Sequence, residues 1–293
     1  MSVPQAISVP QVNILGPVLI IGAGSAVDRP LERAVLVRLT LAGGAPVPDR
    51  RLAADLWGDG ELNRPIERLR VLVSRLRSAL GPHRGAVQRT QAGYRTTLPV
   101  GDLRAAETAA ERMYAARRAG QPAVVRAAAD AALRLWRGPA LADLLWAPFA
   151  AAEADRLAQW RLELAVAGLE AALCLGSGSE LLREFGILAG EHPLHEPLAR
   201  LHAAALYRAG SQLDALDRLR ALRRGLTEQF GVEPAPETGE LELRILRHDP
   251  TLRSPDEKAS RAVVPIIRLG RGHPGRASVR QRGLRPPVGT AVR

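Results

Sequence analysis

The residues best suited to bind a ligand form one arginine-rich stretch. Arg64, Arg68, Arg70, Arg75 and Arg77 lie within fourteen residues, and Glu67 is the one acidic residue among them. Guanidinium groups match phosphate oxygens and the O6/N7 edge of guanine. A solvated surface helix is the alternative for a run of charges, but a single acid cannot pair with five arginines at i,i+4 spacing. The stretch therefore predicts contact with nucleic acid.

A helix over these residues would have two distinct sides. At about 100° per residue, apolar residues fall together on one side: Ile66, Leu69, Leu72, Val73, Leu76 and Leu80. The outward side holds the predicted contacts to bases or phosphates, which are Arg64, Arg68, Ser74 and Arg75. Arg70 and Arg77 stand at the flank, where phosphates are the expected partners.

Short elements on either side of this helix supply what it packs against. Runs rich in β-formers, separated by glycine and proline, predict strands over residues 12–15, 18–21, 87–90 and 94–98. Helical spacing predicts helices over 30–41, over 49–56 with Asp49 as N-cap, and over 64–80. Three helices followed by a hairpin are typical of a winged helix-turn-helix. Thr90, Tyr94 and Arg95 of that hairpin are predicted to anchor the wing on DNA.

The second half of the chain, from about 103 to 246, is predicted to be helical throughout, with many alanines and few β-branched residues. Residues 172–177 (ALCLGS) and 206–211 (LYRAGS) are similar and 34 residues apart. This spacing is that of tetratricopeptide repeats. The predicted fold is mostly α with a small β component: an N-terminal winged helix-turn-helix followed by a tetratricopeptide-like all-α domain.

The charge is concentrated at the two ends of the chain. The net charge is +11, yet residues 101–250 carry 18 arginines against 21 acids, and only two acids occur after residue 250. A polyanionic partner is therefore expected for the ends. Cys174 is the only cysteine, which excludes an intrachain disulfide. The absence of a long apolar run or a secretory signal predicts a cytoplasmic protein without membrane partners. Binding to nucleic acid would make it nucleoid-associated.

Other candidate sites have simpler interpretations. Residues 18–26 (VLIIGAGSA) resemble the start of a dinucleotide-binding motif, but the third small residue is missing and a hairpin turn is favoured. His192, His195 and His202 fit no common zinc spacing, so surface histidines at a helix start are favoured over a metal site. We therefore expect that the protein has no catalytic residues, binds no cofactor and no metal, and is not an enzyme.

Several motifs, in order, resemble one known family. Residues 52–58 (LAADLWG), 69–81 (LRVLVSRLRSALG) and 93–95 (GYR) are similar to the OmpR-type winged helix of the SARP family, the antibiotic-pathway activators of actinobacteria. The second half of the chain resembles the bacterial transcriptional activation domain of the same family. The similar segments are 131–141 (AALRLWRGPAL), 191–196 (EHPLHE), 205–210 (ALYRAG) and 230–234 (FGVEP). The chain departs from the family pattern at Arg38 and Thr40 in the first helix and at Glu67.

The resemblance implies an OmpR-type DNA-binding domain (12–100) and a transcriptional activation domain (101–250). Composition predicts a flexible leader before them (1–11) and a disordered basic tail after them (251–293). The resemblance also implies a sequence-specific activator of a secondary-metabolite gene cluster that recruits RNA polymerase holoenzyme. The expected DNA is double-stranded promoter DNA with direct repeats, bound by a possible homodimer. The alternative is a helical-repeat adaptor whose basic ends bind nucleic acid without sequence preference.

Overall fold

The computed structural model describes residues 10–22, 27–58, 63–176 and 181–252. The predicted leader lies largely outside these residues, as does nearly all of the predicted tail. In the N-terminal part, β1 (Gln11–Asn13) pairs antiparallel with β2 (Leu19–Ile21). Three helices, a 3₁₀ turn and a hairpin follow: α1 (Pro30–Leu41), α2 (Asp49–Trp57), α3 (Pro65–Ala79), Gly81–Ala86, β3 (Val87–Thr90) and β4 (Gly93–Thr96).

These elements form the predicted winged helix, with small differences at their ends. Pro48, not Asp49, is the N-cap of α2, and Asp49 is its first residue, so that prediction was wrong by one position. Proline suits the start of α1 and α3, because its missing N–H has no partner in the first turn of a helix. The β3–β4 hairpin, here called the wing, follows α3 directly after the 3₁₀ turn.

The two polar residues that interrupt the apolar pattern of α1 have partners. The Nε atom of Arg38 lies 2.5 Å from Oδ2 of Asp55, a buried carboxylate on α2, and Arg51 lies 2.9 Å from the other oxygen. The hydroxyl of Thr40 donates to the carbonyl oxygen of Leu36 at 2.6 Å. A buried carboxylate requires such partners, so Arg38 joins α1 to α2 within the winged helix.

The remainder of the described chain is a helical array, α4 to α10. Consecutive helices pack on one another along most of it, and α8 packs on both α9 and α10. The 34-residue echo corresponds to the ends of α6 and α8, each of which is followed by a turn with a glycine at positive φ. The helices are α4 (Gly101–Arg118), α5 (Pro122–Leu133), α6 (Pro148–Cys174), α7 (Leu182–Glu191), α8 (Glu196–Arg208), α9 (Gln212–Phe230) and α10 (Pro236–Leu246).

One continuous hydrophobic core extends from the winged helix into the array. It begins at Val12 in β1, includes the buried side of α1 and α3, and continues through α4 and α5 to Ala171 near the end of α6. β1 also forms a parallel bridge to the residue before α4, between Val12 and Val100. The two parts therefore share their interior, and three smaller clusters complete the array.

A buried carboxylate at the start of α4 binds this junction together. Asp102 is 7% exposed and accepts hydrogen bonds from the backbone N–H groups of Ile14 and Leu15, at 2.9 and 2.8 Å. It also accepts from the N–H of Leu103 in the first turn of α4, and Nη2 of Arg137 lies 3.3 Å from Oδ2. A carboxylate in the first turn of a helix is further stabilised by the helix dipole.

Residues 136–147, here called the junction loop, continue this contact. The N–H of Leu141 donates to the carbonyl oxygens of Ile14 and Gly16, and Arg137 donates to Pro17. Asp143 accepts from the N–H of Val18 at 2.8 Å and pairs with Arg33 of α1 at 2.6 Å. The junction loop thus satisfies the polar backbone of the chain between β1 and β2, which no strand partner covers.

None of the helices in the described ranges combines the length and the hydropathy that crossing a lipid bilayer would require.

Replacing Asp102 should destabilise the whole protein. Asp102→Ala leaves buried N–H groups and Arg137 without their acceptor, which should cost about 3 kcal/mol of unfolding free energy. Urea denaturation followed by circular dichroism measures this. The control is Asp217→Ala, whose side chain is 71% exposed and whose loss should cost less than about 0.5 kcal/mol. Equal midpoints for the two variants would contradict a structural role for Asp102.

The helical array should lose stability in mild acid. His195 is the N-cap of α8, and its Nδ1 accepts from the N–H of Leu198 at 3.2 Å. Burial lowers the pKa of His195, and burial also lowers the pKa of His202. The unfolded chain therefore binds more protons below about pH 6.5, so stability is complete above that pH and falls as the pH drops towards the folded values.

His195→Asn replaces the capping ring nitrogen with a capping amide oxygen and removes the titrating group. Thermal unfolding between pH 7.5 and 5 should therefore show a smaller loss of Tm for this variant than for the native chain. His248→Asn, at an exposed histidine, is the control and should keep the full loss. An unchanged pH profile for His195→Asn would show that its cap does not titrate.

Candidate nucleic-acid interface

α3 is held by its apolar side against the winged-helix core. Leu69, Leu72, Val73 and Leu76 are buried, as is Leu80 just after the helix, while Ile66 is only half-buried. Arg64 precedes the helix in the left-handed conformation at φ 53°, which is uncommon for a residue with a side chain. The predicted orientation of α3 agrees with these positions, apart from Ile66 at the start of the buried row.

The opposite side of α3 carries the predicted contact residues into solvent. Arg64, Arg68, Arg70, Ser74 and Arg75 are all exposed. Arg64 forms an ion pair with Glu67, Nη1 to Oε2, at 3.6 Å. Arg68, Arg70 and Arg75 have no ion-pair partner among the residues that the structure describes. Among the described residues, this face is therefore a concentration of positive charge that only Glu67 partly offsets.

Arg77 differs from the other arginines of α3 because the protein itself uses its head group. Its Nε donates to the carbonyl oxygen of Val87 in β3 at 3.0 Å, and its guanidinium lies 6.0 Å from the ring centre of Tyr94. The side chain is half-buried. Arg77 therefore braces α3 against the wing, and its predicted phosphate contact stays a prediction.

The wing presents only part of the predicted set to solvent. Tyr94 is 6% exposed and belongs to the core, so its ring supports the wing from beneath. The hydroxyl of Thr90 donates to the carbonyl oxygen of Gly93 and accepts from the N–H of Ala92, which closes the turn. Arg95 is exposed and its Nε donates to Gln88 at 2.9 Å. Arg95 is therefore the wing residue best placed to meet a ligand.

Gly93 allows the wing to approach the rest of the domain closely. Tyr94 exchanges both backbone hydrogen bonds with Val47, which lies before α2. A Cβ atom at Gly93 would lie 2.0 Å from the carbonyl oxygen of Val47, and the residue has φ +139°. Only glycine fits at this position, so the glycine in the sequence motif reflects packing of the wing rather than ligand contact.

Arg89 is an exposed wing cation that the sequence reasoning did not include. It lies on β3, with its guanidinium 4.6 Å from the ring centre of Tyr94 and in an ion pair with Asp49 at the start of α2. The hydrogen bond to Asp49 raises the pKa of Arg89 above its ordinary value. The register pairs Arg89 with Tyr94 and Gln88 with Arg95, so Arg89 and Arg95 lie on opposite faces of the hairpin. Alternation along the sequence therefore gave no signal that both arginines are exposed.

The alternative sites do not assemble as ligand sites in the described residues. Residues 18–22 belong to the β1–β2 hairpin, and the rest of the dinucleotide-like motif lies outside the residues that the structure describes. His202 is not a surface histidine, because its ring stacks on Phe185 with centroids 5.5 Å apart. Within the described ranges, no group of three or more potential ligands could hold a metal ion.

Comparison with known proteins gives a match to one family model and similarity to several bacterial regulatory proteins. The model of the bacterial transcriptional activator domain matches residues 101–246. The chain is 32% identical to the regulatory protein DnrI of Streptomyces peucetius, over 82% of the chain and 93% of DnrI. It is 35% identical to the regulatory protein AfsR of Streptomyces griseus, over 88% of the chain and 27% of AfsR. The chain therefore spans about a quarter of the length of AfsR.

A solved structure shares the arrangement of both parts. The structure of Mycobacterium tuberculosis EmbR in complex with a low affinity phosphopeptide aligns with a TM-score of 0.73 and 30% identity. The alignment covers 82% of this chain and 65% of that one. The fold prediction of a winged helix followed by a helical domain is thereby confirmed.

Substitutions at Tyr94 should separate support of the wing from contact with DNA. Tyr94→Phe keeps the buried ring, so binding to the DNA that the native protein selects should stay within about twofold. Tyr94→Ala should lower the unfolding free energy by about 3 kcal/mol, as expected for loss of a buried aromatic side chain. Fluorescence anisotropy and urea denaturation measure the two effects. A large loss of DNA affinity in a stable Tyr94→Phe variant would instead assign the hydroxyl to the interface.

Proposed function

We propose that this chain, which belongs to the SARP family of bacterial transcriptional regulators, binds specific double-stranded promoter DNA through α3 and activates transcription there. The family is one of regulators and not of enzymes. The regulated genes in this proposal form a secondary-metabolite cluster, and the protein acts in the cytoplasm at the nucleoid. DnrI and AfsR, both named as regulatory proteins, support the regulatory role.

The uncompensated arginines of α3 carry this proposal. A surface helix normally balances its charges with neighbours, whereas Arg68, Arg70 and Arg75 point into solvent without ion partners in the described chain. α3 is also the third helix of a helix-turn-helix arrangement, the element that enters the major groove in such domains. Its fifteen residues extend over about 22 Å at 1.5 Å per residue, enough to follow the groove across several base pairs.

Each exposed residue has a role suited to its position. Arg64, Arg68 and Arg75 face outward and meet base edges or phosphates, and Ser74 donates to a phosphate. Arg70, at the flank, meets a phosphate. Arg95 and Arg89 of the wing contact the adjacent backbone or minor groove. Arg77, Thr90 and Tyr94 act indirectly in this proposal, by holding the wing against α3.

The charge distribution supports contact by the winged helix rather than by the whole surface. Residues 1–100 carry 13 arginines against 7 acids, whereas the section that includes the array, 101–250, is slightly acidic. DNA is attracted to the basic end and repelled from the array, which orients the protein as it approaches. In this arrangement the array remains free for protein partners.

We assign contact with RNA polymerase holoenzyme to the helical array. Exposed apolar side chains on the array, including Leu145 and Trp146 of the junction loop, offer surface for such contact. The side chain of Trp146 is half exposed. Two protomers on direct repeats, in contact as a homodimer on DNA, complete the proposal. The rigid junction at Asp102 supports it, because it fixes the direction in which the array faces.

Two arginine substitutions should affect DNA binding differently. Arg75→Ala, on the outward face, should weaken binding to the selected site about tenfold or more and leave binding to unrelated DNA nearly unchanged. Arg70→Ala, at the flank, should weaken both and reduce the slope of log affinity against log salt by about 0.9, the value for one phosphate. Anisotropy titrations on both DNAs at several salt concentrations measure these effects. Arg224→Ala, an exposed arginine of α9, is the control.

Deleting residues 253–293 distinguishes this function from that of an adaptor with basic ends. The truncated protein should keep its preference for the selected site, because the winged helix is intact. Loss of all DNA binding on truncation, with no effect of Arg75→Ala, would favour the adaptor.

A further inference from the structure

The outward face of α3 is not uniformly basic. Arg64, Arg68 and Arg75 form one row, and beside it a second row contains Glu67 and Val71. At about 100° per residue, Val71 lies about 40° from Arg75, about 60° from Arg68 and almost opposite the buried row. Val71 is 52% exposed, and the side chain of Glu67 is 63% exposed. The centre of the proposed DNA-binding face is therefore an acid and an apolar group, neither of which binds phosphate.

Val71 has the chemistry to contact one feature of the major groove. It lies outside the hydrophobic core, although its neighbours Leu72 and Val73 are inside it. An isolated exposed apolar residue is ordinary on a protein surface. At the centre of a DNA-reading helix, however, its methyl groups would be dehydrated by the bases. The C5-methyl group of thymine is the apolar partner that the major groove offers.

Glu67 is selective for a different reason. Its carboxylate is repelled by phosphates and by the N7 and O6 acceptors of purines, but it can accept a hydrogen bond from the N4 amino group of cytosine. Arg64 lies 3.6 Å away, close enough to offset the charge but beyond hydrogen-bond distance. The carboxylate oxygens therefore keep lone pairs free for a base.

We propose that Glu67 and Val71 form a base-reading strip that selects two pyrimidines, with Val71 against the methyl group of a thymine and Glu67 against the amino group of a cytosine. This rests on the proposed function, and it specifies which DNA that function requires. Residues four apart on a helix are separated by about 6 Å along its axis. Base pairs are stacked about 3.4 Å apart, so the two pyrimidines lie within about two steps of each other.

The test deletes single groups from the DNA and from the protein together. The full chain first selects its preferred duplex from a random library. Each thymine of that site is then replaced by uracil, which lacks the methyl group, and each cytosine by pyrimidin-2-one, which lacks the amino group. Anisotropy titrations compare the native chain, Val71→Ala and Glu67→Ala on each duplex. Leu213→Ala and Glu228→Ala, at exposed positions of α9, are the matched controls.

The native chain and both controls should lose about fourfold in affinity at one uracil position, the value of one buried methyl-sized group. They should lose about tenfold at one pyrimidin-2-one position. Val71→Ala should abolish the uracil effect and keep the other, and Glu67→Ala should do the reverse. Any effect of an analogue on the duplex itself is common to all the proteins, because all are titrated on the same DNA. A difference between the variants therefore reports the contact of the substituted side chain.

Two results would overturn the base-reading strip. One is a native chain that binds its selected site equally well with every analogue. The other is an analogue effect that persists in the matching variant at either position. Both leave the proposed function intact, because the native chain still selects a site. Failure to enrich any sequence from the library would instead contradict the proposed function.

Discussion

The arrangement of this protein depends on one buried carboxylate. Asp102 accepts from two backbone N–H groups that follow β1 and from one in the first turn of α4, and it pairs with Arg137. Burying a charge is costly unless each of its lone pairs is satisfied, so this geometry tolerates few alternatives. The same contact sets where the junction loop lies, and through Asp143 and Arg33 it extends to α1. The orientation of α3 relative to the helical array follows from these contacts.

The arginines of this protein have several different roles, which the composition alone does not distinguish. Arg38, Arg137 and Arg33 are partly buried and pair with carboxylates, so they act as structural cross-links. Arg77 and Arg89 brace the wing around the ring of Tyr94. Arg68, Arg70 and Arg75 are exposed without ion partners in the described ranges. The number of arginines in the sequence therefore exceeds the number that are available to bind DNA. The burial and the ion pairs of each side chain distinguish the two groups.

Periodicity alone predicts the helices well, and α1 begins and ends where the apolar spacing indicates. It also identifies the buried side of α3, because a helix packed on one side repeats every 3.6 residues. Long-range polar contacts have no such signature. The bond from Asp102 to Ile14 spans 88 positions, and nothing local in the sequence indicates it. The contact between Arg77 and Tyr94 has the same limit, since an aromatic residue and an arginine in a motif give no local sign of which neighbours they contact.

The shared core also determines whether the winged helix can be transferred to another protein without the helical array. A fragment that ends at residue 100 would leave Val12 and Ile14 without the array that covers them, and the N–H groups of Ile14 and Leu15 without an acceptor. Transplanting this DNA-reading unit onto another protein therefore requires α4 and the junction loop to travel with it. The boundary between the wing and α4 is therefore a poor point for recombination between relatives, because the continuous core crosses it.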